Sequence, residues 1–329
     1  MSSIKHLDRK PIVCNDQASL FDIDDGIAYF ELHSKLNIIE DTTIDILNSA
    51  LEEVESNFYG MVIGTEADHF SVGLNIVQLL ERARSNNWDA ISNTVRNLQN
   101  VCTRLSMLTK PVVAATNGMA LGGGCELAFG ADAVCAFENS QFGLVELRVG
   151  LIPCGGGTTE IVLRSLVGQN TSNPIEELIS PVISTYETIR QYKVSKDADD
   201  ALEYGYLRMS DQISTNRDNH LSDAKQLALS LWNDGYSSSQ PQQVYVLGEE
   251  GYNHIMQHLQ QIHQIDTINE YEQYLAEKLA YVFCGGMLPK PQYVTRQYLH
   301  DLEHEIALSL CGEQKTHTMI ESTLKKGKN

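Results

Sequence analysis

Two glutamates lie close to a run of glycines in the middle of the chain. Gly122, Gly123 and Gly124 follow an apolar, strand-like stretch, and Glu126 comes two residues after the last of them. Glu146 lies further along, directly after a Phe-Gly-Leu-Val segment. Glycines let the backbone approach a ligand closely, and the first amides of a helix lack internal partners. Two carboxyl groups beside such amides predict proton transfer next to a carbonyl oxygen that becomes negative.

Other uses of these glycines fit the sequence less well. No G-x-G-x-x-G opens a helix here, and the P-loop spacing of Gly118 and Gly123 is followed by Gly124 where a lysine is needed. A structural turn is the simple alternative for the glycines, a helix cap for Glu126, and a surface carboxylate for Glu146. Each alternative is ordinary alone, but their combination favours a catalytic site.

Thiol and metal chemistry are the other candidates. Cys125 has no histidine in its motif to activate it, which favours a small packed residue. His254, His258 and His263 share a spacing that suits a metal, but a Gln-rich setting without HExxH favours a solvated helix face. The 7 cysteines form no CxxC pair, which is typical of a reducing compartment. We therefore expect no metal and no redox cofactor.

Composition limits the partners of the chain. Its 329 residues and 42% hydrophobic content suffice for a large core, and its net charge of −19 disfavours nucleic acids, including RNA, and anionic membranes. The longest apolar stretch is interrupted by Asn117, Glu126 and Asp132, so it is not a membrane span. The first residues lack the apolar region of a signal peptide, and we expect a cytoplasmic protein.

Strands and helices are predicted to alternate before the glycines. Ile44, Leu47, Leu51 and Val54 share one face of a helix that Asp41 or Thr42 caps. In βαβ architectures, sites gather at the carboxyl ends of strands, so the loops 71–75 and 118–124 are expected to face one crevice. The predicted elements of this part are strands at 27–32, 61–63 and 111–115 and helices at 41–56 and 91–105.

After Leu166 the pattern becomes mostly helical. The Asn, Ser, Thr and Pro content of 170–184 predicts a loop, and helices are expected at 198–205, 271–284 and 298–311. These patterns predict an N-terminal extension over 1–26, a catalytic core over 27–210 and a helical C-terminal region over 211–329.

Three motifs resemble those of the crotonase (enoyl-CoA hydratase/isomerase) superfamily: 70–76, 110–126 and 142–153, within a match over roughly 27–165. The resemblance implies an α/β fold, with a crotonase-like ββα-spiral core before the long C-terminal helical region. It implies that the backbone amides of Val72 and Gly123 hold a thioester carbonyl oxygen. It also implies that Glu126 and Glu146 handle a water molecule and the proton at C2 of the acyl group.

The same resemblance implies a substrate and a set of contacts. The substrate is an acyl-CoA thioester, and no cofactor is needed because coenzyme A is part of that substrate. Val72 and Leu74 stand where many relatives have Ala, and Asn75 where they have Asp, which puts the acyl chain length in doubt. The residues expected to contact the acyl-CoA are Lys35, Ser71, Gly73, Leu74 and Gly122.

Segments 33–37, 143–146 and 278–282 resemble, more narrowly, the hydratase part of fused bacterial 3-hydroxyacyl-CoA dehydrogenases of fatty-acid β-oxidation. This implies reversible hydration of trans-2-enoyl-CoA to 3-hydroxyacyl-CoA. The alternatives are an enoyl-CoA delta-isomerase and a non-catalytic, partner-binding subunit. The expected partners are copies of the same chain, as a trimer or hexamer, and separate dehydrogenase or thiolase subunits.

Overall fold

The computed structural model describes residues 9–238, 243–263 and 269–326, with the side chain of residue 263 excluded. Contacts group the chain into two compact units that interleave along the sequence. The first draws on Met1–Asn75, Asn97–Gly143 and Val194–Gln240, and the second on Ile76–Arg96, Leu144–Lys193 and Pro241–Asn329. The domain boundaries at 26 and 210 stay predictions, because units defined by contacts do not follow the chain in order.

A seven-stranded sheet is the centre of the first unit. Its first three strands pair antiparallel, and the remaining pairs are parallel. The segment predicted as an N-terminal extension thus contributes β1 and β2 to this sheet. In order across the sheet, the strands are β1 (Val13–Cys14), β2 (Ala18–Asp22), β3 (Ile27–Leu32), β4 (Gly60–Gly64), β5 (Val112–Thr116), β7 (Ala133–Phe137) and β9 (Gln212–Ser214).

Register across the sheet explains its core. Tyr29 lies opposite Val62, Val62 opposite Val113, and Val113 opposite Ala133, so one row of apolar side chains crosses four strands. Because side chains alternate between the two faces of a strand, this row lies on one face. The helix His220–Asn233 (α8) packs against that face through Ala224 and Ala228.

Among the other helices of the first unit, the sequence predicted the helix at 41–56 almost completely. The helix predicted at 41–56 is observed as α1 (Asp41–Asn57), but its N-cap is Glu40 rather than Asp41 or Thr42. Glu40 and Thr43 form a reciprocal capping box, which satisfies two backbone donors at once. The remaining helices that involve this unit are α1 (Asp41–Asn57), α3 (Trp88–Met107, which begins in the second unit), α4 (Gly123–Phe129) and α7 (Ala198–Glu203).

A small parallel pair of strands holds the glycine-rich loop. Strand β6 (Met119–Leu121) pairs with β8 (Gln141–Gly143), and Leu121 lies opposite Gly143. The loop between β6 and α4 is therefore fixed on both sides, and α4 begins at its end.

The second unit is mainly helical and contains a two-stranded antiparallel sheet that the sequence analysis missed. This sheet joins β10 (Gln243–Val246) to β11 (Gln292–Thr295). The predicted helices at 271–284 and 298–311 are confirmed as α10 and α11. The helices of this unit are α2 (Ile76–Arg84), α5 (Gly157–Ser165), α6 (Ile175–Arg190), α9 (Gly248–His263), α10 (Glu270–Phe283), α11 (Arg296–Cys311) and α12 (Gln314–Lys326).

The loop predicted over 170–184 is wrong, because α6 occupies most of it and carries Pro181 in its interior. A proline inside a helix costs about 3 kcal/mol relative to alanine. Leu178, Val182 and Tyr186 nevertheless bury one face of α6, and burial of such side chains contributes about 1.5–3 kcal/mol each. Packing therefore outweighs local propensity here.

No helix in the described part of the chain is long and apolar enough to cross a membrane.

Candidate active site

The two loops predicted to face one crevice run side by side in the first unit. Phe70 and Ser71 donate their amides to the carbonyl oxygens of Asn117 and Met119, at 2.9 and 3.0 Å. Leu121 donates back to the Ser71 carbonyl at 2.9 Å. These bonds continue the pairing of β6 to its other side, so the loops 71–75 and 118–124 are held in a fixed register.

Three glycines make this close approach possible. Gly73 has φ +94°, and a Cβ on it would lie 3.0 Å from the Gly123 nitrogen. Gly122 has φ +52°, and its amide donates to the Gly143 carbonyl at 2.8 Å. A Cβ on Gly124 would lie only 2.6 Å from the Ser71 carbonyl oxygen. Glycine is therefore required at these positions by backbone conformation or by contact.

Gly123 differs from its neighbours because it has room for a side chain. A Cβ there would meet Leu74 at 3.4 Å, an ordinary contact distance, and its φ is not in the left-handed region. Gly123 is the first residue of α4, whose first internal hydrogen bond runs from the Glu126 amide to the Gly122 carbonyl at 3.0 Å. The amides before Glu126 therefore point out of the N-terminal end of the helix, toward any ligand in the loop.

Val72, the other predicted oxyanion donor, already has an acceptor. Its amide donates to the Leu36 carbonyl at 3.3 Å, which is a long hydrogen bond. A substrate oxygen at this amide would share it with Leu36 or replace that contact. The role of Val72 and Gly123 as a pair of donors stays a prediction.

Ser71, one of the predicted substrate contacts, is fully buried. Its hydroxyl donates to the Asn37 carbonyl at 2.7 Å and accepts from the Gly73 amide at 3.1 Å. The side chain thus fixes the shape of the loop around Gly73, and its hydroxyl is already used inside the protein.

A buried asparagine supports this loop, and the sequence analysis did not single it out. The Asn37 amide group donates to the Thr65 hydroxyl and to the His69 carbonyl, both at 2.9 Å. Thr65 in turn donates to the Leu32 carbonyl at 2.7 Å. The signal was a polar residue at the end of a short motif, which gives no indication of burial.

The remaining predicted contacts lie at more open positions. Lys35 is exposed on the 3-10 turn that contains it, where Leu36 adopts φ +56°. Leu74 is half-buried and pairs with Ile39 through an isolated bridge. An exposed lysine near a backbone ligand site suits an anionic group, but its contact with coenzyme A stays a prediction.

Glu126 lies on the first turn of α4 and is 2% exposed. A carboxyl group buried to this degree is expensive to desolvate, and proteins keep such groups where they are paired or functional. Its position one turn after Gly123 is set by the loop and by the helix that begins there. The predicted acid–base role is compatible with that placement and stays a prediction.

Glu146 belongs to the second unit and begins a 3-10 turn, Glu146–Val149. Gly150 ends the turn with φ +81°, and its amide is shared between the Leu147 carbonyl, at 3.2 Å, and the Glu146 carbonyl. Leu151 donates to the same carbonyl at 3.0 Å. The Oε2 atom of Glu146 is buried, although the residue as a whole is half-buried.

A buried charge cluster lies after this turn on α5. Glu160 forms ion pairs with Arg164 at 2.9 Å and with Arg296 of α11 at 2.8 Å. Burial alone would raise the pKa of Glu160, but the two guanidinium groups lower it to about 2. The carboxylate offsets one of the two guanidinium charges, and the ion pairs connect α5 to α11. In the described residues, no group of three or more His, Cys, Asp or Glu side chains could hold a metal ion.

The family match and the most similar relatives that follow all have names that refer to acyl-CoA enzymes. Residues 22–178 match the model of the enoyl-CoA hydratase/isomerase family. Over 317 residues the chain is 38% identical to a "probable 3-hydroxyacyl-CoA dehydrogenase" of Bacillus subtilis, covering 96% of this chain and 39% of that protein. It is 33% identical over 168 residues to the 2,3-dehydroadipyl-CoA hydratase of Escherichia coli, covering 50% of this chain and 62% of that protein. The chain thus spans about two fifths of the length of its Bacillus relative.

Solved structures give the same fold. The crystal structure of an enoyl-CoA hydratase from Bacillus halodurans superposes with a TM-score of 0.62 at 17% identity, covering 93% of this chain and 99% of that one. An enoyl-CoA hydratase/isomerase structure from Acinetobacter baumannii gives 0.60 at 15% identity, over 94% of this chain. At such identities, the likeness establishes the fold alone, and it confirms the predicted α/β fold of the crotonase type.

Proposed function

Residues 22–178 match the enoyl-CoA hydratase/isomerase (crotonase) family, and from this premise we propose that the chain adds water reversibly to trans-2-enoyl-CoA. The product is a 3-hydroxyacyl-CoA. The observation that carries the proposal is the juxtaposition of the Gly73 and Gly123 loops, with Glu126 one turn further along α4.

The first requirement of this reaction is a place for negative charge. Attack of water at C3 of the enoyl thioester moves electrons onto the thioester oxygen, which becomes an enolate oxygen. The Gly123 amide lies at the positive end of α4, where such an oxygen is favoured. In the proposed mechanism, Val72 is the second donor and exchanges its long bond to Leu36 for one to the substrate.

The second requirement is transfer of two protons. One glutamate orients the water and removes its proton while the other delivers a proton to C2. We assign water activation to Glu126 and protonation at C2 to Glu146, following the family resemblance. General acid–base groups of this kind each contribute about 10²–10⁴-fold in rate.

An isomerase is the nearest alternative on the same scaffold. Moving a double bond transfers one proton and needs one carboxylate, at the position of Glu146. Retention of Glu126 in a buried position beside the glycine loop favours hydration. Rates with trans-3-enoyl-CoA and with trans-2-enoyl-CoA, compared in one preparation, separate the two activities.

A non-catalytic subunit is the alternative from another class. Such a subunit would bind partners and would not turn over crotonyl-CoA. The presence of both glutamates is the feature that favours an enzyme.

The biological setting follows from the relatives and is also proposed. The name of the Bacillus subtilis relative points to 3-hydroxyacyl-CoA chemistry, the next step after hydration, but this chain spans only 39% of that protein. We propose a role in fatty-acid β-oxidation, with separately encoded dehydrogenase or thiolase subunits as partners. We further propose a cytoplasmic homo-oligomer, either a trimer or a hexamer.

The test is an assay of hydration with enoyl-CoAs from C4 to C16. The loss of absorbance of the conjugated thioester measures the rate. Glu126→Gln and Glu146→Gln should each lower kcat by about 10²–10⁴ and change KM little, because both remove a proton-transfer group and keep the side-chain shape. Glu55→Gln, at an exposed position of α1, is the matched control because it makes the same change on the surface. Near-normal turnover by either folded glutamine variant would contradict the assignment.

A further inference from the structure

The C-terminal helices hold the turn that carries Glu146. Thr316 of α12 is fully buried, and its hydroxyl donates to the Gly150 carbonyl at 2.7 Å. Gly150 is the residue that closes the Glu146–Val149 turn. We propose that Thr316, supported by Tyr271, is a positioning residue for Glu146. This inference rests on the proposed acid–base role of Glu146.

The contact is transmitted to Glu146 through the backbone. The Gly150 amide is shared between the Leu147 and Glu146 carbonyls, and the Leu151 amide donates to the Glu146 carbonyl at 3.0 Å. The position of Gly150 therefore influences the backbone of Glu146, and with it the direction of the Glu146 side chain. Gly150 has φ +81°, a conformation that glycine adopts without strain, and a Cβ there would lie 2.8 Å from Thr316.

The direction of the hydrogen bonds follows from their chemistry. A carbonyl oxygen can only accept, so the single hydroxyl proton of Thr316 goes to Gly150. The Tyr271 hydroxyl, 2.6 Å from the Thr316 oxygen, must then be the donor to Thr316. Tyr271, on α10, is itself buried. Three elements of the second unit thus converge in one chain of hydrogen bonds that ends at the Glu146 turn.

The segment that follows the turn is held from the same C-terminal region. Glu303 of α11 is fully buried and accepts from the Gly156 amide at 2.9 Å. It also accepts from the amide and the hydroxyl of Thr159, at 2.7 and 2.8 Å. Segment 146–159 is therefore fixed at both ends by α11 and α12. The C-terminal helices therefore hold this segment by hydrogen bonds in addition to apolar packing.

Thr316→Val tests the inference, because valine keeps the shape of threonine and removes the donor. We expect kcat to fall about tenfold, with KM within about twofold, since a small displacement of a catalytic group slows chemistry more than binding. Thr316→Ser should restore most of kcat because it keeps the hydroxyl. Thr318→Val is the matched control: Thr318 is exposed on the same helix, and its hydroxyl donates to the Gln314 carbonyl of that helix. Unchanged kcat in Thr316→Val would overturn the inference.

A double-variant cycle with Glu146 separates positioning from general damage. If Thr316 acts through Glu146, Thr316→Val should lower kcat by less than about twofold in the Glu146→Gln background. A full, multiplicative loss in that background would overturn the inference. Activity of Glu146→Gln alone near that of the parent chain would contradict the proposed function instead.

Tyr271→Phe covers the case in which Thr316→Val does not fold. It removes the donor to Thr316 and keeps the ring in place. We expect about a threefold loss of kcat, with KM unchanged, because Thr316 keeps its bond to Gly150 but loses its own support. An unchanged kcat in Tyr271→Phe, combined with a Thr316→Ser variant that does not retain activity, would overturn the inference.

Discussion

At the scale of single residues, the three consecutive glycines have different roles. Gly122 adopts a positive φ, Gly124 lies against the Ser71 carbonyl, and Gly123 alone has room for a Cβ. The sequence showed a Gly-Gly-Gly run and predicted close backbone approach for all three. Which of them makes the approach depends on the neighbouring loop at 71–75, and no local pattern reports that loop.

This difference yields a prediction about two alanine variants. Gly123→Ala should fold with nearly the parent stability and lose activity, because its new methyl group lies beside the amide proposed to bind the thioester oxygen. Loss of one oxyanion donor typically costs about 10²–10³ in kcat, and partial obstruction should cost less. Gly124→Ala should instead lower the free energy of unfolding, because its Cβ would lie 2.6 Å from a backbone oxygen.

Chemical denaturation and enoyl-CoA hydration, measured on both variants, check this prediction. The matched control is Gly168→Ala, where nothing lies within 4 Å of the added carbon but φ is +77°. It reports the effect of backbone strain without a steric contact. Full activity in Gly123→Ala would argue against an oxyanion role for that amide.

At the scale of elements, α8 shows how a helix outside the predicted core completes it. Its first residue, His220, is buried and packs against Phe137 of β7, with ring centroids 5.8 Å apart. Lys225, also on α8 and buried, donates to the Ile23 carbonyl and to Asp25, each at 2.7 Å. The helix thus ties the start of the chain to the far side of the sheet.

Burial of His220 predicts a dependence of stability on pH. Burial is the main reason that the pKa of His220 is lowered to about 4, and the positive charge of Arg217 lowers it further. The unfolded chain therefore binds the proton more readily, and stability falls as pH drops from about 6.5 toward 4. For this shift, the free energy of unfolding at pH 5 should be about 2 kcal/mol below that at pH 7.

His220→Leu should remove this contribution, and denaturant unfolding of both proteins at pH 7 and pH 5 measures it. Comparing the two proteins cancels other groups, such as Asp132, which directly precedes β7. Burial raises the pKa of Asp132 to about 6, so its contribution has the opposite sign and is lost as pH rises through 6. Equal pH dependence in the two proteins would show that His220 is not the titrating group.

The helices and strands also show which parts of the fold could be predicted from the sequence. Periodic apolar residues located α1, α10 and α11, because each helix buries one regular face. The strands β10 and β11 were missed because they are short and half-buried, so their pattern does not stand out. Pro181 misled the prediction of α6, because a local breaker does not report the packing that overrides it.

At the scale of the whole molecule, the predicted C-terminal region contributes to both compact units. Its apolar residues Leu302, Ile306 and Leu310 are buried within the chain. The chain itself covers them, so their burial requires no partner subunit. The size of the homo-oligomer remains a prediction.

Truncation after about residue 215 should therefore give an aggregating or unstable protein, although both glutamates remain. It removes α8 from one face of the sheet and α9 to α12 from the second unit, and it exposes large apolar surfaces. Size-exclusion chromatography and hydration of crotonyl-CoA check this, with a chain ending at Lys326 as the control. A soluble, monomeric and active truncated chain would make the tail a docking module instead.

The interleaving of the two units has a consequence for how the protein is made. The chain passes from one unit to the other after Asn75, Arg96, Gly143, Lys193 and Gln240. Neither unit can be completed until most of the polypeptide has left the ribosome, and the contact between Lys225 and Asp25 closes a loop of 200 residues. Topologies dominated by such distant contacts fold slowly. For the same reason, a single crossover within the gene cannot exchange one unit without also exchanging part of the other.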